Sequence, residues 1–292
     1  MIPLIKIIIP IYNNERYFCR CMESILRQTE RRFLVVIVDD GSTDCSGAIC
    51  DKYAASYTEK IHVIHKEHRG LSVARNIALD YETECKYVTF IDSDDWIHPR
   101  YLERLLRATE STKAEIAIGR HVKTVEMLPL DTAKPEVFVC SSEEAYCMKS
   151  ISTTPVWGKL FLAELWDNIR FPIGRIYEEY YTTWKLIFSA SRIAVVDQDL
   201  YFYFVNENGI VHSQWNGRRM DLFPALDEKI AFFEKNHFHK AEARARFKKL
   251  RTLEKFIDNV KFLDSADEYL ELLVKMKNGE MKYDTKNDGD ND

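Results

Sequence analysis

Phe33-Leu34-Val35-Val36-Ile37-Val38-Asp39-Asp40-Gly41-Ser42-Thr43-Asp44 carries two instructions in succession. Phe33 to Val38 is an apolar, largely β-branched run, the composition of a strand covered on both faces. It stops at Asp39-Asp40-Gly41, and Ser42, Thr43 and Asp44 then offer caps for a helix through Tyr53. The same succession recurs on either side. Ile5 to Ile9 is apolar except for Lys6, and after Asn13-Asn14 the stretch Glu15 to Arg27 sets Phe18, Met22, Ile25 and Leu26 at helical spacing. Ile61 to Ile64 is a third strand, and Ser72 opens a helix bearing Val73, Ile77 and Leu79. Tyr87 to Ile91 is a fourth, and Pro99 sits in the first turn of the next helix. This βαβαβαβ order predicts a parallel sheet with helices on both faces.

The pattern then loosens. Glu115 to Gly119 reads as a strand, Lys123 to Val139 as loop and extended chain, and Ser142 to Lys149 as a helix. Tyr177 to Ala190 is helical, with Tyr177, Tyr181, Trp184 and Phe188 on one side; Ile193 to Val196 and Leu200 to Val205 are strand-like. From about Arg218 strong helix formers dominate, in segments 220–236, 238–259 and 265–277. Residues 278–292 hold almost no large apolar group and read as a disordered acidic tail.

The 292 residues carry 41 Lys plus Arg against 46 Asp plus Glu, a balance that argues against a generally basic nucleic-acid surface. With 46% apolar residues the chain can build a substantial core, which excludes disorder for most of its length. No apolar run approaches the roughly 18 residues of a membrane-spanning helix. Ile2 to Tyr12 lacks a basic leader and contains Lys6, so it reads as a buried strand rather than a signal segment. Seven cysteines fit neither a disulfide framework nor a zinc knuckle, and reduced, structural thiols are expected.

The polar residues of the first half gather where the strands end: Tyr12-Asn13-Asn14, Asp39-Asp40-Gly41-Ser42 and Asp92-Ser93-Asp94-Asp95. Open α/β sheets bind ligands outside these carboxyl ends. Neither Gly-x-Gly-x-x-Gly nor Gly-x-x-x-x-Gly-Lys-Ser/Thr occurs, which argues against dinucleotide and P-loop sites. Three carboxylates in Asp92–Asp95 repel one another unless a cation or solvent compensates. Mg²⁺ or Mn²⁺ bridging to a phosphorylated ligand would do so. A helix-capping cluster before Pro99 is the competing reading.

A longer string then stands out: Pro10-x-Tyr12-Asn13-x-Glu15, Ser24-Ile25-Leu26-x-Gln28-Thr29, Val38-Asp39-Asp40-Gly41-Ser42-Thr43-Asp44, Gly70-Leu71-Ser72-x-Ala74-Arg75-Asn76 and Phe90-Ile91-Asp92-Ser93-Asp94-Asp95-Trp96. In this order it resembles the family-2 inverting glycosyltransferases of GT-A fold, among them bacterial enzymes of capsular, exopolysaccharide and other cell-surface glycans. The likeness is strong over residues 3–110 and weaker through Val156-Trp157-Gly158-Lys159-Leu160-Phe161, Arg170-Phe171-Pro172, Tyr177-Glu178-Glu179 and Leu200-Tyr201-x-Tyr203. It implies an α/β fold with a Rossmann-like, mostly parallel central sheet flanked by helices and a C-terminal helical appendage. Residues 1–217 would be the catalytic domain, with 1–110 the nucleotide-binding half and 111–217 the acceptor side. The appendage would be 218–277, before the tail.

The resemblance also implies roles. The donor would be a UDP-sugar, with Tyr12 stacking on the base and Asp39 accepting its N3–H. Pro10, Asn13, Glu15, Asp40, Arg75, Ser93 and Trp96 would complete the nucleotide-sugar site, Trp96 lining the sugar pocket. Asp94 would ligate Mn²⁺ or Mg²⁺ directly. Asp92 would face the ribose or the ion's solvent shell, and His212 is a further metal candidate. A base must take the acceptor's proton. The family uses the Asp of a Glu-Asp pair, whereas this chain has Glu178-Glu179, so Glu179 holds the base position and Glu178 is the runner-up. A helix-start carboxylate of no catalytic role is the alternative. Asn206-Glu207-Asn208-Gly209-Ile210 departs from the family's usual diphosphate contacts. Trp157 and Lys159 match an acceptor-side segment, where Trp157 could stack on a sugar or pack in the core and Lys159 could steady a phosphate or the loop.

Segment 240–255 has seven Lys/Arg against two Glu and reads either as a solvated face or as a peripheral contact with anionic lipid. The resemblance thus implies a cytoplasmic enzyme, able to sit at the inner face of the bacterial membrane. Its acceptor would be a lipid- or protein-linked or surface glycan, its assembly a homo-oligomer or a pairing with another glycosyltransferase. A degenerate binding or complex-assembly protein of the same fold and a nucleotidyltransferase-like enzyme are the rivals.

Overall fold

A computed structural model describes residues 3–205, 216–261 and 266–287. The chain divides into two units, residues 1–209 and 210–292. In chain order the strands of the first are β1 (Ile5–Ile11), β2 (Phe33–Asp39), β3 (Ile61–His65), β4 (Tyr87–Phe90), β5 (Trp96–Ile97), β6 (Ile116–Thr124), β7 (Val137–Cys140), β8 (Lys159–Leu162) and β9 (Ile193–Phe204). Helices α1 (Glu15–Leu26), α2 (Ser46–Ser56) and α3 (Leu71–Asp80) join the first four strands, and α4 (Tyr101–Thr112), α5 (Ser142–Cys147) and α6 (Glu178–Ser189) follow.

All strands form one sheet in the order β3-β2-β1-β4-β8-β6-β9-β5, with β7 also on β9. The parallel half is β3-β2-β1-β4, as the alternating pattern predicts. Its strands are buried on both faces: Ile5, Ile7, Ile9 and Ile11 enter one core cluster while Ile8 enters the other. Lys6, the oddity of the first apolar run, is 5% exposed and donates to the carbonyls of Ala78, Leu79 and Tyr81. It thereby satisfies carbonyls at the end of α3 that the helix leaves unpaired.

The second half of the sheet differs from the sequence reading. The strand read as Glu115–Gly119 runs on as β6 to Thr124, and β7 begins inside the stretch read as loop. The two strand-like runs after Arg192 are one strand, β9, paired in parallel with β6 through a register shift at Gly119–His121. β8 lies antiparallel between β4 and β6. The seven cysteines are all free.

The second unit holds α7 (Leu222–Lys235), α8 (His239–Val260) and α9 (Ala266–Asn287), so helix continues as far as Asn287 through part of the stretch read as a tail. Phe223 packs edge-on against Phe256, 5.3 Å between ring centres. Within the basic stretch, Lys249 pairs with Asp227 and Glu280, Arg246 with Glu242 and Glu234, and Arg251 with Glu254. At least these three cations are therefore engaged within the helical unit. Among the described residues no helix is long and apolar enough to cross a membrane.

Candidate active site

Parallel pairing brings the carboxyl ends of β1, β2 and β4 to one edge of the sheet, and side-chain-to-backbone bonds lash their loops together. Asn13, at φ 46°, accepts the Thr43 N–H at 2.7 Å and donates its own N–H to Ser42 at 3.0 Å. Asn14 donates its N–H to Ser46 and its side-chain amide to Ser93. Glu15 accepts the Cys45 N–H at 2.7 Å. Asp40 accepts the N–H groups of Arg69 and Gly70 at 2.9 and 2.8 Å. Gly41, at φ 75°, lies where a Cβ would come 2.7 Å from the His68 nitrogen, so only glycine fits. Asn13, Glu15, Asp40 and Ser93 are struts of this edge, and Pro10 is buried within β1.

Tyr12 is 44% exposed, its ring stacked on His68 at 4.0 Å. Asp39 is buried, one oxygen accepting the Ser42 N–H and the other 2.9 Å from His65 Nδ1. Asp51 and Asp39, bonded to the two ring nitrogens, raise the His65 pKa.

The acidic turn separates into three roles. Asp95 is fully buried; it accepts the Tyr201 hydroxyl at 2.6 Å and the Phe204 N–H at 2.7 Å, and so joins the turn to β9. Asp92 places one oxygen 2.9 Å from Arg75. Among the described residues the Asp94 carboxylate is bonded only within its own residue, and burial together with Asp92 lifts it to about 6 against the opposing pull of that bond and of Arg20. Arg20 holds the Asp94 carbonyl at 2.7 Å and lies 4.1 Å over the Trp96 ring. Trp96 itself is 2% exposed and stacked on Phe202, and so floors the turn.

Across the crevice, Arg75 is 1% exposed and meets three carboxylates. Its Nη1 lies 2.7 Å from Glu178, and its Nη2 lies 2.9 Å from Asp92 and 3.3 Å from Glu179. Burial opposes its charge, but Asp92, Glu179 and Glu178 together raise its pKa. Tyr177, at φ 60°, turns the chain into α6 so that both glutamates stand in the first turn; such strain in a non-glycine residue is typical of functional sites. Glu179 also accepts the Val156 N–H at 3.1 Å. Its carboxyl is raised to about 7, chiefly by burial, with Glu178 and Asp92 adding to the rise and Arg75 opposing it.

Lys159 is fully buried and donates to the carbonyls of Pro155 and Trp157, which makes it a pin of the loop rather than a phosphate contact. Burial lowers it to about 7. Trp157, 8% exposed, stacks on Tyr201 at 4.5 Å; its place is in the core. His212 and residues 206–210 lie outside the described residues. The sequence reading missed Arg20 and Tyr201 as supports of the acidic turn. Alternation along β9 was the available signal for Tyr201; none marked Arg20.

The described residues contain no group of three His, Cys, Asp or Glu placed to hold a metal ion. The donor set fits a lesser demand: Asp94, unpartnered and crowded by Asp92, with Asp92 as second carboxylate. Mg²⁺-type ions commonly take one or two carboxylates and complete their shell with phosphate and water.

The sequence profile of glycosyl transferase family 2 matches residues 6–166. The chain is 34% identical over 239 residues to glycosyltransferase GlyA of Streptococcus pneumoniae, spanning 77% of this chain but only 34% of GlyA. Glycosyltransferase GlyG of the same organism is 24% identical over 299 residues, covering 95% of this chain and 96% of GlyG. The crystal structure of Staphylococcus aureus TarS 1-349 in complex with UDP-GlcNAc superposes with a TM-score of 0.70 at 20% identity, over 92% of this chain and 83% of that one. At that identity the likeness speaks to the fold.

Proposed function

The chain belongs to glycosyl transferase family 2, and we propose that it moves a sugar from a UDP-sugar to a hydroxyl of a glycan acceptor by a single inverting displacement. The observation that carries this reading is the pairing of Asp92 and Glu179 on one buried arginine, Arg75. It ties the donor-side acidic turn to a carboxylate with an affinity for protons near neutrality.

Tyr12 and Asp39 suit the base of the nucleotide, the one offering a ring and the other an acceptor oxygen with lone pairs to spare. Asp94, with Asp92, would hold Mn²⁺ or Mg²⁺, which supplies Lewis-acid neutralisation of the leaving diphosphate when bound. Glu179 would take the acceptor's proton, since Glu178 is committed to Arg75 by the shorter contact. The UDP-GlcNAc complex of TarS supports a UDP-sugar as donor. The acceptor would be a surface, lipid-linked or protein-linked glycan.

The test is release of free nucleoside diphosphate across UDP-, GDP- and dTDP-sugars, with and without Mn²⁺. Slow turnover of one UDP-sugar is expected, abolished by chelator and reduced about a thousandfold or more in Glu179→Gln with donor binding intact. Full activity in that variant would refute Glu179 as base. Donor binding without turnover under all conditions would favour a degenerate member of the family.

A further inference from the structure

We propose that Tyr203 belongs to the reaction centre, its hydroxyl donating a hydrogen bond to the departing diphosphate; this rests on the sugar-transfer reading above. Side chains two apart on a strand share a face, so Tyr201 and Tyr203 of β9 point the same way. The direction is fixed by Tyr201, whose hydroxyl donates to Asp95 and accepts the Asp92 N–H at 3.1 Å. Between the acidic turn and the next residue the Phe204 N–H is bonded to Asp95, which holds the backbone of Tyr203 beside the turn. Both tyrosine rings stack on Trp157, that of Tyr203 at 5.6 Å, and the Lys123 ammonium stands 5.8 Å from the Tyr203 ring centre.

The two tyrosines differ in what their hydroxyls do. Tyr201 is fully buried and its hydroxyl is satisfied. Tyr203 is half-buried, and its hydroxyl has no hydrogen-bond partner among the described residues. Its surroundings are acidic: burial, then Asp95, Asp94, Asp92 and Glu179 in that order, push the phenol up to about 12. It therefore stays protonated at neutral pH. The ionised carboxylates around it can only accept hydrogen bonds, whereas the phenol can donate. A donor fixed by ring packing on Trp157, on a strand tied to the acidic turn through the Phe204 N–H, suits the oxygens on which charge develops as the diphosphate leaves.

Tyr203→Phe removes the hydroxyl and keeps the ring, its stacking and the Lys123 contact. With Mn²⁺ present, UDP and UMP binding are measured by calorimetry beside UDP release from the donor. We expect turnover to fall about a hundredfold and UDP binding to weaken, with UMP binding and the thermal midpoint unchanged. Unchanged turnover and UDP affinity would overturn the assignment, as would equal weakening of UDP and UMP, or lost turnover at unchanged UDP affinity. If the unaltered protein bound neither nucleotide, the donor-site reading itself would fall.

Discussion

Arg75→Met deletes the guanidinium while keeping much of the side chain's length. The arginine has three carboxylate partners at 2.7, 2.9 and 3.3 Å and is 1% exposed. Unit charges 4 Å apart interact by about 4 kcal/mol at an effective dielectric near 20. Removing one partner of a buried pair costs about 3–5 kcal/mol. Three partners do not triple that figure, because carboxylates left without their cation take up protons instead. In the variant, Glu179 loses the cation that opposes its rise while Glu178 and Asp92 stay close, so its folded pKa climbs further above the unfolded one. The folded state then binds more protons than the unfolded state, so its stability falls as pH rises. We expect a loss of about 3–5 kcal/mol at pH 8 that shrinks clearly by pH 5. Urea unfolding followed by fluorescence of the five tryptophans reads both values. A loss below about 1 kcal/mol at pH 8, or one of equal size at both pH values, would refute the view of Arg75 as the counter-ion of the site.

The raised Glu179 predicts a pH–rate profile: the base works ionised, so turnover should climb as pH rises through about 7 and then level off. A profile flat from pH 5 to 9 would count against it. The neighbouring aspartates should part company. Asp94→Ala breaks no bond to another described residue and relieves repulsion with Asp92, so stability should hold while Mn²⁺ binding, followed by electron paramagnetic resonance, is lost. Asp95→Ala strands the Tyr201 hydroxyl and the Phe204 N–H and should cost about 2–4 kcal/mol in urea unfolding. Trp157→Ala should destabilise by about 3–5 kcal/mol, because its ring is packed against Tyr201 and Tyr203; near-normal stability with a raised acceptor KM would return Trp157 to the acceptor site.

The parallel half of the fold was legible because its strands announce themselves locally as apolar runs, ended in β1, β2 and β4 with asparagines or carboxylates. The half beyond β4 was legible only in pieces of β6 and β9. β8 is four residues and β5 two, too short for any periodicity, and β9 spans a polar Asp197-Gln198-Asp199 that split it into two apparent strands. Gln198 is nevertheless buried, its amide bonded to the Asp131 carbonyl across the fold. At the site, residue types pointed to the edge of the sheet and the family likeness sorted them. Neither could tell a strut from a contact. Asp39 and Asp40 are adjacent and chemically alike, yet one bonds the Ser42 N–H and His65 while the other is tied to the Arg69–Gly70 backbone. For Lys159 the bonds to the Pro155 and Trp157 carbonyls favour the loop over the phosphate, a choice that sequence left open because a lysine beside a motif looks the same whether it faces ligand or core.

The departure at position 179 becomes intelligible in this geometry. A glutamate carries its carboxylate one methylene farther than an aspartate, and misplacement by about 1 Å can cost about a hundredfold in rate. Here the longer side chain is not left to wander: the Val156 N–H and Arg75 Nη2 both fix Oε1. Glu178 takes the shorter contact to Arg75, and its nearby carboxylate anion raises its neighbour. Repelled by that anion and by Asp92, yet held by only one guanidinium nitrogen, Glu179 is the carboxylate of the cluster that burial has raised toward neutrality. Arg75 meanwhile divides Nη2 between Asp92 and Glu179. Any donor or cation that draws Asp92 away leaves more of that nitrogen for Glu179, which favours its ionised form. As the proposed base, Glu179 would then be best prepared to accept a proton when the donor side is filled.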